Sequence, residues 1–74
     1  MSDAMRIELA LNTGNAAFDD PGEISRIFSD AGRILESIQE AGWKFPEEGK
    51  NKSGYFNLYD INGNMVGIVR CRPE

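Results

Sequence analysis

Histidine is absent from the chain of 74 residues, and cysteine occurs once, as Cys71. A single cysteine cannot form an internal disulfide, and a zinc site without histidine would need one thiol and several carboxylates. Neither a disulfide nor a structural zinc site is therefore expected. Histidine is also the base that usually activates a serine or cysteine nucleophile, so its absence removes that kind of catalysis. We therefore predict that the protein is not an enzyme and that it binds no metal and no cofactor.

Long apolar segments are missing as well. Charged residues or glycines interrupt every hydrophobic run, and none reaches the length of about 20 residues that crosses a bilayer. The sequence therefore predicts a soluble, cytoplasmic protein that contacts no membrane. Its 74 residues form one small domain, which buries only about 60% of the surface exposed in the unfolded chain. A partner, or a second copy of the chain, would stabilise so small a core.

Basic residues are fewer than acidic ones: eight Lys and Arg against twelve Asp and Glu give a net charge of −4. Residues 18–42 contain six of the acids and two of the bases, so this segment alone accounts for the net charge. The resulting acidic surface either favours a partner with a basic surface or simply keeps the chain in solution. The acidic residues that we predict to contact a partner are Asp30, Glu36 and Glu40.

Nucleic-acid binding is not expected, because it needs clustered Lys and Arg to neutralise phosphates. One alternative stays open, in which a loop and the last strand converge in space to form a basic site with aromatic residues nearby. The basic residues of that site would be Lys44, Lys50, Lys52, Arg70 and Arg72.

A helix is predicted over 21–41. Asp20 suits the N-cap and forms a capping pair with Glu23, and apolar residues then recur at spacings of three and four until Gly42 ends the helix. Gly32 lies inside this helix, where glycine costs roughly 1 kcal/mol relative to alanine. Gly32 either permits the close approach of another element or is simply tolerated.

The segments before and after the helix are predicted to be a strand and a loop. Apolar and mostly polar residues alternate over 5–12, which is the pattern of a half-buried strand. Residues 43–54 predict a polar loop, since they combine three Lys and two Glu with Pro46, Gly49, Asn51, Ser53 and Gly54. Trp43 and Phe45 are exceptions in this loop, and they either fold back over the end of the core or anchor a partner.

Residues 55–71 predict a β-hairpin that turns at Asn62-Gly63. Either these two residues form the whole turn, or residues 60–63 form a type I turn in which Gly63 takes the left-handed conformation as a bulge. Asp60 at the first position and glycine at the fourth favour the second turn. Oxygen-bearing side chains alternate here as in a calcium loop, but the later glycine and glutamate of such a loop are replaced by other residues.

The favoured turn sets the pairing of the two hairpin strands, since Asp60 then faces Asn64. This register predicts a core face formed by Phe56, Leu58, Val66 and Ile68. It predicts an opposite face formed by Tyr55, Asn57, Tyr59, Met65, Gly67 and Val69, with Cys71 at its end.

These elements predict a single α+β domain of β-α-β-β order, a three-stranded sheet with one amphipathic helix packed on one face. The other face of the sheet is uncovered. Because Tyr and Met are enriched in interface cores, we predict that this face binds a partner or a second copy of the chain. Alternatively, its tyrosines only cover the bare backbone beside Gly67. The predicted partner-binding residues of the face are Tyr55, Asn57, Tyr59, Met65 and Val69.

Several short motifs occur together over most of the chain: Asn15-Ala16-Ala17-Phe18, then Glu23-Ile24 and Ile27-Phe28, and finally Asp60-Ile61-Asn62-Gly63-Asn64 with Val66-Gly67. In this combination the chain resembles small proteins encoded by bacteriophages and prophages. The motifs are turns, caps and core positions, so the resemblance implies a fold and transfers no catalytic residue.

Phage proteins of this size commonly bind and block a host protein. The resemblance therefore implies a non-enzymatic inhibitor of a bacterial defence system such as CRISPR-Cas, acting in the cytoplasm of the bacterial host. The alternative is a structural homodimer or subunit that packs through the outer sheet face and has no defence role.

Overall fold

The computed structural model of the protein describes residues 4–45 and 53–74. Its elements are β1 (Met5–Leu11), a short 3₁₀ helix (Ala16–Asp19), α1 (Glu23–Glu40), β2 (Gly54–Tyr59) and β3 (Met65–Pro73). The strands form one antiparallel sheet in the order β1-β3-β2, so the last strand is central. This confirms the predicted α+β fold of a three-stranded sheet with one helix.

The start of α1 differs from the prediction. Gly22 occupies the N-cap, and the Asp20 side chain accepts a hydrogen bond from the Gly22 N–H at 2.9 Å. The Glu23 N–H donates to the Asp20 carbonyl at 3.1 Å, while the Glu23 side chain bonds elsewhere. The predicted capping pair of Asp20 and Glu23 is therefore wrong, and the helix begins two residues later than expected.

The end of α1 follows the prediction closely. Gly42 adopts a φ of +80°, and its N–H donates to the Gln39 carbonyl at 3.0 Å. The Trp43 N–H donates to the Ile38 carbonyl at 2.9 Å. These two hydrogen bonds form a Schellman motif, which needs a left-handed residue at the position of Gly42.

The hairpin adopts the second of its two predicted turns. Gly63 has a φ of +85° and donates its N–H to the Asp60 carbonyl at 3.0 Å. The Asp60 N–H in turn donates to the Asn64 carbonyl at 2.9 Å. Asp60 therefore faces Asn64, as the sequence predicts.

Beyond the turn, the predicted strand register is wrong by one residue. Tyr59 pairs with Met65, but Leu58 pairs with Gly67 rather than with Val66. The extra residue in β3 is a β-bulge, which sets two residues of one strand against a single residue of the other. Val66 and Gly67 are both opposite Leu58, so the faces of β3 are exchanged from this point onward.

The exchange moves Val69 and Cys71 from the predicted outer face into the core. Val69 is 0% exposed and Cys71 is also buried. Ile68, which was predicted to lie in the core, pairs with Asn57 and Ala10 on the outer side of the sheet.

The core lies between the inner face of the sheet and α1. Phe45 is buried and packs on Gly54, where any Cβ would overlap the Phe45 ring. Trp43 is half-buried against the same cluster, so both aromatic residues cover the core rather than project from it. Residues 46–52 of the predicted loop, including Lys50 and Lys52, lie outside the described residues. The buried members of the core are Ile27, Ala31, Phe45, Leu58, Val66, Val69 and Cys71.

Candidate functional site

The side of the sheet that faces away from α1 is built from four cross-strand rows. We call it the outer face. Its rows are Arg6–Arg72, Glu8–Arg70–Tyr55, Ala10–Ile68–Asn57 and Met65–Tyr59. Each row exists because residues directly opposite each other on antiparallel strands point to the same side of the sheet.

The half of the outer face near the hairpin turn is apolar. Met65 is 64% exposed and Tyr59 is 51% exposed, and half-buried Ile68 lies beside them. A groove of about 630 Å³ opens in this half, and none of its described lining residues carries a charge. Its lining consists of Ala10, Leu11, Asn12, Asn15, Asn57, Met65, Val66, Gly67 and Ile68.

The other half of the outer face is charged. Arg6 donates from Nε to Glu8 Oε2 at 3.2 Å and lies 3.9 Å from a carboxylate oxygen of Glu74. Arg70 and Arg72 are exposed, and within the described parts of the chain neither has a carboxylate within 4.0 Å. The outer face thus combines an apolar end with an arginine-rich end.

Four of the five residues predicted to bind a partner through the sheet lie on the outer face. These are Tyr55, Asn57, Tyr59 and Met65. Val69 is the exception, because the bulge at Val66 turns it inward, and Ile68 takes its place. The available signal was Gly67, since glycine inside a strand often marks a bulge or a close backbone approach.

The acidic residues predicted on α1 occupy different environments. The carboxylate of Asp30 is bound by Arg26 at 3.1 Å and also by Arg33, so neighbouring positive charge neutralises it. Glu36 and Glu40 are exposed, and neither forms an ion pair within the residues that the structure describes. The acidic surface of the helix is therefore confined to its C-terminal half.

Glu23 has a role that the sequence reasoning missed. Its buried carboxylate accepts two hydrogen bonds from Arg26, at 2.8 and 2.9 Å, and one from the Ile61 N–H at 2.8 Å. Arg26 also donates to the Tyr59 carbonyl at 3.2 Å. The hydrogen bonds from the guanidinium, together with that from Ile61, hold the pKa of Glu23 below its ordinary value despite burial.

Asp60 is the second buried carboxylate and lies in the hairpin turn. Its Oδ1 accepts the N–H groups of Asn62 and Asn64, at 2.9 and 2.8 Å, and its Oδ2 accepts the side-chain amides of Asn15 and Asn64, at 2.8 and 3.1 Å. Burial alone would raise the pKa of Asp60, but these hydrogen bonds outweigh it and lower the pKa. Both oxygens are thus used in holding the turn, and residues 4–45 and 53–74 contain no group of three or more His, Cys, Asp or Glu suited to a metal ion.

Comparison of the chain with protein-family models, with curated proteins and with solved structures finds no match in any of the three. Within the described residues, no helix is long and apolar enough to cross a bilayer. What the protein does must therefore be inferred from its own surfaces.

Proposed function

We propose that the protein is a non-catalytic binding protein that docks on another protein through the apolar half of its outer face. The observation that supports this is the exposure of Tyr59 and Met65, together with a groove that Met65 and Ile68 line and that has no charged residue among its described lining residues. Tyrosine and methionine are enriched in interface cores, where charged residues are depleted. An exposed apolar area with a charged rim on one side is typical of a protein–protein contact.

The charged half of the outer face adds a requirement on the partner. Arg70 and Arg72 lie at this end together with Arg6, which is already paired with Glu8. A partner with an apolar centre and carboxylates at one end would match both halves of the face. This complementarity would fix the orientation in which the partner docks.

The partner in this proposal is a component of a bacterial defence complex such as CRISPR-Cas. Support for this class comes from the resemblance of the sequence motifs to small bacteriophage and prophage proteins. Binding by the outer face would block such a component sterically, by covering a surface that the component needs for its own contacts.

A second candidate surface is the C-terminal half of α1. Glu36 and Glu40 are exposed there, one helical turn apart, and would fit a basic surface. The pairing of Asp30 with Arg26 and Arg33 weakens this alternative, because the middle of the helix then contributes little net charge.

Binding measurements with matched variants test the outer face. The tagged protein is used to isolate a partner from bacteria that carry a defence system, and the purified partner is titrated with the wild type and with the double variant Tyr59→Ser, Met65→Ser. We expect the double variant to raise the Kd about tenfold or more, because central aromatic and apolar contacts dominate interfaces. Ile61→Ser is the control, since Ile61 is 70% exposed but lies in the turn. Equal binding by the double variant and the wild type would contradict the proposal.

The helix alternative has its own test. The double variant Glu36→Lys, Glu40→Lys should leave binding unchanged if the outer face carries the contact. If binding instead depends on these carboxylates and weakens steeply as the ionic strength rises, the acidic helix is the docking surface.

A further inference from the structure

The outer edge of β1 carries unused main-chain hydrogen-bonding groups. β1 lies at one side of the sheet, and its even-numbered residues bond β3: the Ala4 carbonyl accepts from the Glu74 N–H at 3.0 Å, and the Asn12 N–H donates to the Val66 carbonyl at 2.8 Å. In an antiparallel ladder, the residues between those that bond the neighbouring strand direct their N–H and C=O groups away from it. The N–H and C=O groups of the odd-numbered residues, from Met5 to Leu11, therefore face the open edge. In the described parts of the chain no other segment bonds them.

Apolar side chains accompany this edge on the inner side of the sheet. Ile7 is 43% exposed, although it points to the face that α1 covers. On the helix, the Arg26 side chain donates a hydrogen bond to the Tyr59 carbonyl of β2. Phe28 follows two residues later, and two residues turn an α-helix by about 200°, so Phe28 is on nearly the opposite side of the helix from Arg26. Phe28 is therefore on the side of α1 away from β2, toward the β1 edge, and it is 50% exposed. Unpaired strand edges with exposed apolar flanks are surfaces that proteins normally protect.

We propose that the β1 edge pairs with the β1 edge of a second copy of the chain, in antiparallel orientation and centred on Ile7. The two sheets then become one sheet of six strands, and a twofold axis passes beside Ile7. Ile7 pairs with its own copy, Met5 pairs with Leu9 of the second copy, and by symmetry Leu9 pairs with Met5 of the second copy. These three pairs supply about six main-chain hydrogen bonds, and all of them use groups that face the open edge.

Charge selects this register over its neighbours. Centring on Ile7 places Arg6 opposite Glu8 of the second copy, and symmetry creates the same pair again. Centring on Glu8 would oppose two glutamates, and centring on Arg6 would oppose two arginines. Opposite charges directly across a strand pair stabilise it, and like charges destabilise it.

The neighbouring strand strengthens the case for self-pairing. Within one chain Arg6 lies beside Arg72, and Glu8 lies beside Arg70. In the proposed dimer a row of side chains therefore runs Arg72, Arg6, Glu8 of the second copy, Arg70 of the second copy. Each carboxylate is then flanked by two guanidinium groups, and Arg6 gains an acidic neighbour on its open side. A second copy thus satisfies both the charges and the main-chain groups of this edge.

Charge reversal tests the register directly. Sedimentation equilibrium from micromolar to near-millimolar concentration should show a dimer for the wild type. R6E sets a carboxylate against Glu8 of the second copy, and E8R sets a guanidinium against Arg6, so each single variant should raise the dimer Kd about tenfold or more. The double variant R6E/E8R restores both opposite-charge pairs and should dimerise again. An equimolar mixture of the two single variants should likewise form a heterodimer.

The rescue experiments separate this interface from a loss of folding. Arg6 and Glu8 are both about half exposed, at 50% and 52% of the side chain, so every variant is expected to keep the circular dichroism spectrum of the wild type. The proposal is overturned if the wild type stays monomeric at all concentrations, or if folded single variants dimerise as the wild type does. It is also overturned if the mixture fails to associate, or if Tyr59→Ser, Met65→Ser abolishes the dimer while R6E does not, since the outer face would then be the interface.

Discussion

Gly67 sets the distance between the central strand and β1. A Cβ at this position would overlap the carbonyl oxygen of Ala10 and lie 3.2 Å from the Cα of Leu11. Gly67 pairs with Leu11 on one side and with Leu58 on the other, so neither neighbouring strand can simply move away. The requirement for glycine arises from this close backbone approach, and it coincides with the bulge at Val66.

Gly67→Ala should destabilise the protein by about 1–3 kcal/mol, the usual cost of forcing an extra methyl group into a packed site. Gly32→Ala is a matched control, because the residue is inside α1 and, apart from its chain neighbours and the helix's own backbone, no atom of the described residues lies within 4 Å of the Cβ position. The control should stabilise the protein by about 0.5–1 kcal/mol through helix propensity. Urea unfolding of both variants measures the difference. A Gly67→Ala protein as stable as the wild type would contradict the proposed close approach.

At the level of elements, Glu23 and Asp60 fasten the start of α1 to the hairpin turn. Glu23 reaches from the helix to the Ile61 N–H, and Asp60 receives the side chain of Asn15 from the segment that follows β1. Three separate parts of the chain therefore meet through two carboxylates that hydrogen bonds keep ionised. This arrangement makes the packing of the helix on the sheet sensitive to protons.

Stability should fall in acid because the pKa values of both carboxylates are lowered in the folded protein, from ordinary values of 4.5 for Glu23 and 3.8 for Asp60. A lowered pKa contributes stability that is complete above the ordinary value and is lost as the pH falls through the folded value. We expect the free energy of unfolding to be flat near neutrality and to decline below about pH 4.5. Urea unfolding across this pH range measures the free energy of unfolding. A profile without an acid decline would contradict the stabilising role of the Glu23 and Asp60 carboxylates.

Glu23→Gln should flatten part of this acid decline and lower the stability at neutral pH, because the amide cannot pair with Arg26 as a carboxylate does. Glu36→Gln is the control, since Glu36 is exposed on the same helix and has no partner among the described residues. The control should unfold as the wild type does at every pH. An equal loss of stability in both variants would show that net charge, rather than the hydrogen bonds of Glu23, controls the pH dependence.

The elements with local signals could be predicted from sequence, and the features that depend on distant contacts could not. Strand alternation, the helical apolar stripe, the C-terminal Gly42 and the Asp60–Gly63 turn are all set by neighbouring residues. The bulge at Val66 depends on how β1 approaches Gly67, and the strand order places the last strand between the other two. Local periodicity gives no information on the bulge or on the strand order. The predicted faces therefore placed Val69 on the outer face and Ile68 in the core.

The same limit applies to the candidate site. Tyr55, Asn57, Tyr59 and Met65 precede the bulge or lie on β2, and they occur on the predicted face. Glu23 was predicted to cap its own helix because capping is a local pattern. Its carboxylate instead bonds Arg26 on the same helix and the Ile61 N–H, which is 38 residues away in the sequence.

For the whole molecule, the two proposed contacts are compatible: the dimer uses the main-chain edge of β1 and the row that contains Arg6 and Glu8, whereas docking centres on the apolar half of the outer face. Pairing of the β1 edges around a twofold axis perpendicular to the sheet leaves both outer faces pointing the same way. A dimer would therefore present two copies of the apolar groove to one assembly. Such bivalency raises the effective affinity for a partner with repeated sites without any new contact.

Cys71 offers a measurement that reports on folding and dimerisation together. It lies on the central strand between Ile7 and Gly54, it is buried, and burial raises the pKa of its thiol. The Cys71 thiolate attacks a disulfide reagent, forms a mixed disulfide and releases the other half of the reagent as a thiolate, so Cys71 should react much more slowly in the folded protein than in urea. Labelling under native conditions then follows the population of opened molecules.

The rate of this labelling should also depend on protein concentration. If the β1 edges pair, mass action stabilises the folded dimer, and the labelling rate of the wild type should fall as its concentration rises. R6E, which opposes carboxylates across the edge, should show this fall in labelling rate only at concentrations about tenfold higher or more, in line with its higher dimer Kd. The mixture of R6E and E8R should recover the dependence, because it recovers the charge pairs. A wild-type rate that does not change with concentration would mean that opening of β3 is not linked to association, and that the core is closed by the single chain alone.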